Sequence, residues 1–194
     1  MEPLIATLRV VHVISAVLMA WPAYALVAVN QRARLGPPLG DRVDAYLESV
    51  IRNRTIPCFV FQGTILGSGL GLVLLSGQGL DVFVTRWTLG LKFFLLLLVI
   101  ALLSIIHFGL QPQIDALFAA VSGPVPAEVA ARIGVLRLRR KRTASVCMFA
   151  VLTAVMLGVQ AWTPFPLWLT ALLVVAIALF TWRTYTTVTP YGWV

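Results

Sequence analysis

Apolar positions along this chain gather into five long runs separated by polar and basic stretches. The runs cover residues 4–29, 56–75, 87–110, 144–162 and 166–182. Each matches the ~17–25 residues that an α-helix needs to cross a bilayer, where no water can satisfy exposed backbone groups. The first run is interrupted only by Arg9, His12 and the Trp21-Pro22 pair, and Pro22 removes a backbone hydrogen bond, which predicts a kink. Trp87, Trp162, Trp168 and Trp182 fall near run ends, as interfacial aromatics do. Two connections carry a helical period of their own. Val43, Leu47, Val50 and Ile51 predict a short amphipathic helix over 41–51. Val129, Ile133 and Leu136 predict another over 126–138, and both are expected to lie on the inner leaflet.

Composition turns this pattern into a class. Hydrophobic residues make up 60% of the 194 residues and charged ones 11%, against norms near ~45–50% and ~25% for soluble domains. The mean hydropathy is +0.94. So few charges cannot cover a water-facing surface, which excludes a soluble enzyme, a DNA-binding domain and a disordered tail. The expected fold is an all-α integral membrane protein: a single membrane domain of five spans, with a four-helix core and an added C-terminal helix. Residues 1–8 hold Glu2 and no Lys or Arg, and the run after them has spanning length, so no signal peptide is expected. Cys58 and Cys147 stand alone, without the spacing of a disulfide framework or zinc site.

Charge then gives direction. Of the 15 Lys and Arg residues, all but Arg9, Arg86 and Lys92 lie in the 30–54 and 111–143 connections or after the last run. The positive-inside rule places those segments and the C-terminus in the cytoplasm and the N-terminus outside. The net charge of +8 thus reads as a topology signal, and nucleic acid is not an expected partner. The basic run from Arg137 to Arg142 reads the same way, as a segment drawn to anionic lipid. The expected location is a cell membrane of the bacterial inner-membrane type, crossed several times.

Polar groups at membrane depth are costly, so each is a functional candidate. His12, Lys92 and His107 are the three. Spans one and three run in the same direction, and the two histidines differ in depth by about 18 Å at ~1.5 Å per residue, too far to ligate one iron. Lys92 lies within ~4–5 Å of the depth of His12, and Arg9 is one helical turn away on the same face. Arg86 closes the same outer end. A ligand-capable imidazole ringed by cations suits a porphyrin, with His12 on the iron and Arg9, Arg86 or Lys92 on the propionates. The alternative is that the arginines snorkel to outer headgroups while His12 bonds a backbone carbonyl.

Gly63, Gly67 and Gly71 recur at four-residue spacing in span two, with Ser68 and Gly69 among them, which permits close approach by a helix or a flat ring. Met156 in span four reaches the outer half as a candidate sixth ligand, or as packing. On the inner side, His107, Cys58, Cys147 and Met148 share a depth, which leaves open a second haem ligated by His107 or a copper site. No span contains a carboxylate, no Ser/His/Asp pattern occurs and no phosphate loop is present.

Val11-His12-Val13, Arg54-Thr55-x-Pro57, the helix from Trp87 through Lys92-Phe93-Phe94-Leu95 to His107, and Arg142 before span four carry a resemblance. Over about residues 5–162 the chain resembles the superfamily that joins haem-containing protoporphyrinogen oxidases of the J type, copper-resistance D-like membrane proteins and related uncharacterised membrane families. The resemblance implies a b-type haem on His12 and a functional, in the oxidases catalytic, role for Lys92. The chain departs after span one, with Trp21-Pro22-Ala23-Tyr24 and Asn30-Gln31-Arg32 where the oxidases carry a Leu-Pro-Arg-like stretch and a further His. The expected cofactor is haem b, with copper as the lesser alternative. The cofactor-binding candidates are His12, Arg9, Arg86, Lys92, Gly67 and Gly71; the metal candidates are His12, Met156 and His107. The expected function is membrane electron transfer or a redox subunit of a larger complex, as a homo-oligomer or with other membrane subunits. A protoporphyrinogen IX oxidase passing electrons to a membrane acceptor, and a copper-handling or structural subunit, are the alternatives.

Overall fold

A computed structural model describes residues 2–20, 39–52, 55–161 and 163–186. Every regular element among them is helical. Helix α1 is Glu2–Leu18, α2 Arg42–Arg52, α3 Thr55–Leu75, and α4 the single turn Val82–Thr85. Helix α5 is Trp87–Ser104, and a π-helical turn over Ile105–Leu110 joins it to α6, Gln111–Ala119. Helices α7, Ala127–Gln160, and α8, Leu167–Thr186, complete the chain. The expected Pro22 kink and the second half of the first run lie outside the described residues, as do Asn30, Arg32, Arg54 and Trp162.

Four stretches are long and apolar enough to cross a membrane: Arg42–Leu75, Trp87–Ala119, Ala127–Gln160 and Leu167–Thr186. Their burial pattern is the reverse of a water-soluble helix. Helix α8 buries Thr170, Thr181 and Thr184 against the protein while Leu167, Trp168, Leu172, Val175, Leu179 and Trp182 face outward. In water that arrangement would expose a large apolar patch; against lipid it buries both faces in media that suit them. This is a multi-pass membrane protein in contact with the bilayer.

The core lies between α3, α5 and α7. Ile65, Leu95, Leu96, Val99, Ala150, Val151, Ala154 and Leu157 form one buried cluster, joined by Met19. Helix α1 packs along α3, α5 along α7, and α8 against the far side of α7.

The boundaries differ from the sequence expectation at two places, for one reason. The segment 126–138 is not a separate surface helix; it is the first third of α7, which runs unbroken for 34 residues into span four. Between Ala127 and Gln160 the chain has no proline and its basic run is made of good helix formers, so nothing stops the helix at the membrane surface. Span three likewise continues past Leu110 into α6, through the π-helical turn. Pro112 falls just after that turn, at the start of α6, where its missing N–H is tolerated.

The predicted amphipathic helix over 41–51 is present as α2. Asp41 begins it by accepting the Asp44 N–H at 2.7 Å, an N-cap bond. Its buried face, however, carries Asp44 and Glu48 as well as Ile51. Those carboxylates meet the basic run of α7. Arg137 donates to Asp44 Oδ1 and Oδ2 at 3.0 and 3.1 Å and to Glu48 Oε2 at 3.0 Å. Arg140 pairs with Glu48 and donates to Gln111 Oε1 at 2.6 Å. Gln111 Nε2 returns bonds to Glu48 at 2.9 Å and Asp115 at 3.1 Å, and Arg52 reaches Asp115 at 2.5 Å. Two of the basic residues read as topology signal are therefore enclosed: Arg140 is 3% exposed, and Arg137 also lies over the Phe118 ring at 5.3 Å.

Candidate membrane site around His12 and Lys92

Helices α1, α3, α5 and α7 each bring one element of this site. Helix α1 carries His12, α3 carries Ser68 and Gly69, α5 carries Lys92 and α7 carries Gly158. His12 Nδ1 lies 2.9 Å from Ser68 Oγ, and His12 Nε2 lies 3.0 Å from Lys92 Nζ. The expected proximity of Lys92 to His12 is thus a direct contact.

The partners of Ser68 assign the imidazole proton. Ser68 Oγ is 2.6 Å from the Thr64 carbonyl, an atom that only accepts, so the hydroxyl proton points there. Towards His12 the oxygen can then only accept, which makes His12 the Nδ1–H tautomer. Its Nε2 carries a lone pair, and Lys92 donates to it. An imidazole whose far nitrogen is fixed by a hydrogen bond is the usual state of a metal-ligating histidine.

Two glycines make room. A methyl group at Gly69 would stand 3.2 Å from His12 Cε1, so α3 passes this close to the ring without displacing it because the position carries only hydrogen. A methyl group at Gly158 would stand 3.2 Å from Lys92 Nζ. Among the described residues, His12 is the acceptor Lys92 has, and no carboxylate lies beside it. Two of its N–H donors remain for another group.

The other candidates fall variously. Arg9 and Arg86 are exposed near the same end, with no ion pair among the described residues. Gly67 faces away, with nothing within 4 Å of an added methyl, whereas Gly71 meets Leu8 of α1. Met156 is buried in the core and its sulfur accepts from Gln160 Nε2 at 3.2 Å, while Gln160 also bonds Thr170 at 2.8 Å. His107 occupies the opposite end of the bundle, against Phe59 and Phe108. Its Nδ1 lies 2.8 Å from Thr55 Oγ1, which donates to the Arg52 carbonyl at 3.0 Å. His107 is held by the same device as His12, apart from it. Cys58 and Cys147 are both buried free thiols. Among the described residues no group of three or more His, Cys, Asp or Glu side chains converges as metal ligands.

Sequence reasoning did not assign Ser68, Thr55 or Gln62 a role. A hydroxyl that turns its proton onto its own helix is indistinguishable in sequence from ordinary helical serine. No family model, no curated protein and no solved structure matches the chain. Fold and site define an all-helical multi-pass membrane protein with an imidazole–amine pair inside its helical bundle.

Proposed function

We propose that the chain is a haem b-binding membrane protein of five spans, N-terminus outside, that acts in membrane electron transfer. The observation that carries the proposal is the lone pair of His12 Nε2, fixed by the Ser68 hydrogen bond at the level of Lys92. The donor chemistry fits the group: a neutral imidazole for iron and a lysine amine with unused donors for a carboxylate. Haem, when bound, supplies one-electron cycling of its iron. Ser68 keeps His12 in one tautomer and orientation. Lys92 gives up the Nε2 lone pair when a ligand takes it, and its flexible stem lets the amine turn to an anionic substituent. Gly69 keeps α3 close enough for Ser68 to reach the ring.

A second reading is favoured by the Lys92–His12 contact itself. An amine at hydrogen-bond distance from His12 is positioned, once it has given up one of its own protons, to take one from a substrate, as oxidation of protoporphyrinogen requires. A reduced-minus-oxidised optical spectrum of the purified protein tests both. A b-type signal that is lost in His12→Ala and kept in His107→Ala supports the assignment. Absence of haem, or a signal unchanged without His12, refutes it. Consumption of protoporphyrinogen then separates oxidase from electron carrier.

A further inference from the structure

The basic run of α7 divides as the helix turns. Arg137 and Arg140 face α2 and pair with Asp44 and Glu48. Lys141 and Arg142 turn to α8 instead, and both meet Tyr185. Lys141 Nζ lies 4.9 Å from the centre of the Tyr185 ring, and Arg142 Nε donates to Tyr185 Oη at 3.3 Å. One tyrosine thus gathers two cations.

No acid answers this charge. Helix α8 contains no Asp or Glu, and the last acidic residue of α7 is Glu128, in its first turn. Among the described residues the ion-paired carboxylates of α2 and α6 go to Arg52, Arg137 and Arg140, and none goes to Lys141 or Arg142. Donors remain as well. With Nε engaged, Arg142 keeps the forked edge of its two terminal nitrogens, which matches two oxygens of a phosphate. The Lys141 ammonium has the ring as its partner, and Tyr185 Oη, accepting from Arg142, still has its own proton to give.

The level is that of a lipid headgroup. Lys92 lies about 7.5 Å below the start of α5 at Trp87, and Gly158 stands beside it. Arg142 is about 24 Å further along α7, towards the end opposite His12. Together these distances match a hydrocarbon core of ~30 Å and set Arg142 at its far boundary. One turn into the membrane stand Val146 on α7 and Trp182 on α8, 47% and 65% exposed. Apolar surface for acyl chains therefore adjoins cations for a phosphate.

We propose that Lys141, Arg142 and Tyr185 bind the phosphate of an anionic phospholipid, in the leaflet at the end of the bundle opposite His12, with its chains along Val146 and Trp182. Two uncompensated cations favour a headgroup of net negative charge over a zwitterionic one, which brings a cation of its own. A lipid held there ties α8 to α7. The site does not depend on the haem reading.

Titration of the full chain in neutral detergent, read by native mass spectrometry, tests this. Phosphatidylglycerol should give one retained adduct, and phosphatidylcholine with the same chains should bind at least about fivefold more weakly. Arg142→Gln and Lys141→Gln should each weaken phosphatidylglycerol about fivefold, the loss expected for one basic residue at a membrane surface. Arg132→Gln removes the same charge from an exposed position about 15 Å further along α7, beyond a Debye length, and should change binding less than about twofold. Tyr185→Phe keeps the ring at Lys141 but loses the hydroxyl on Arg142, and should weaken binding at least about twofold. Unchanged binding in that variant removes the tyrosine from the site. Equal losses in Arg132→Gln and Arg142→Gln, or equal retention of the two lipids, overturn the site in favour of general charge attraction. Displacement of phosphatidylglycerol by glycerol phosphate at equal concentration overturns the lipid as its occupant. None of these substitutions touches the surroundings of His12, so the lipid site and the haem reading fail separately.

Discussion

Arg140 of α7 closes on Glu48 of α2 in an ion pair buried from solvent, across 92 residues of chain. Both groups are further bonded, Glu48 by Arg137 and Gln111, Arg140 by Gln111. This pair ties the helix before span two to the membrane-entering part of α7, at the end of the bundle opposite His12.

Arg140→Met removes one cation from Glu48 but leaves Arg137 and Gln111 on that carboxylate. It is expected to destabilise the fold by about 1–3 kcal/mol, less than the cost of stranding a buried ion outright. Arg140→Met combined with Glu48→Leu should recover much of that loss. Thermal unfolding of the three variants in one detergent checks this, and a double variant no better than the single one would contradict it.

Glu48 also makes stability depend on acid. Burial pushes its carboxyl up, but the Arg140 hydrogen bond and charge, Gln111 and Arg137 together outweigh it and hold the group below its ordinary value of 4.5. A depressed folded pKa contributes stability that is complete above pH 4.5 and fades as pH falls through the folded value. Unfolding midpoints should therefore be flat above that pH with respect to this group and drop below it. Glu48→Gln should flatten the acid limb while lowering the plateau; an acid limb unchanged in that variant would show the dependence to arise elsewhere.

The glycines of α3 and α7 should separate sharply. Gly69→Ala sets a methyl against His12, whose ring is held by Ser68 and cannot yield freely, so the His12 environment should shift and bound haem should fall. Gly158→Ala meets the far end of a flexible lysine and should act more mildly. Gly67→Ala meets nothing and should leave the site unaltered. Imidazole 15N shifts and haem content across the three rank them directly; equal effects at Gly67 and Gly69 would remove the close approach as a cause.

Ser68→Ala takes away the acceptor that fixes the tautomer. The Nδ1–H form should no longer dominate the 15N spectrum of His12, and haem affinity should drop by roughly 10–100-fold, as for other orienting partners of metal-bound histidines. Ser68→Thr, which keeps the hydroxyl, should restore both. A tautomer ratio unmoved by loss of the hydroxyl would refute the assignment.

Four of the five expected spans, and the depth match of His12 and Lys92, are legible in sequence because they rest on length, hydropathy and helical rise, which are local quantities. What stayed hidden depends on rotation about helix axes. Arg137 and Arg140 sit in a run that reads as a lipid-facing signal, and only the facing of α2 onto α7 turns them to Asp44 and Glu48. Gly63, Gly67, Gly69 and Gly71 look alike in sequence, yet an added methyl meets His12 at Gly69, Leu8 at Gly71 and nothing at Gly63 or Gly67. The junction at 138–144 is hidden in sequence because an amphipathic period meets an apolar run there with no helix-breaking residue between them, and one helix carries both.

The π-helical turn at Ile105–Leu110 bears on all of this. Such a turn accommodates one residue more than an α-helix of equal length. That extra residue advances everything beyond Leu110 by about 100° around the axis. At uniform α pitch, with Lys92 aimed at His12, Gln111 would swing away from Glu48 and Arg140. One continuous rod thus carries two settings of azimuth, one for the imidazole–amine pair and one for the charged clasp, and the turn beside His107 is where they are reconciled.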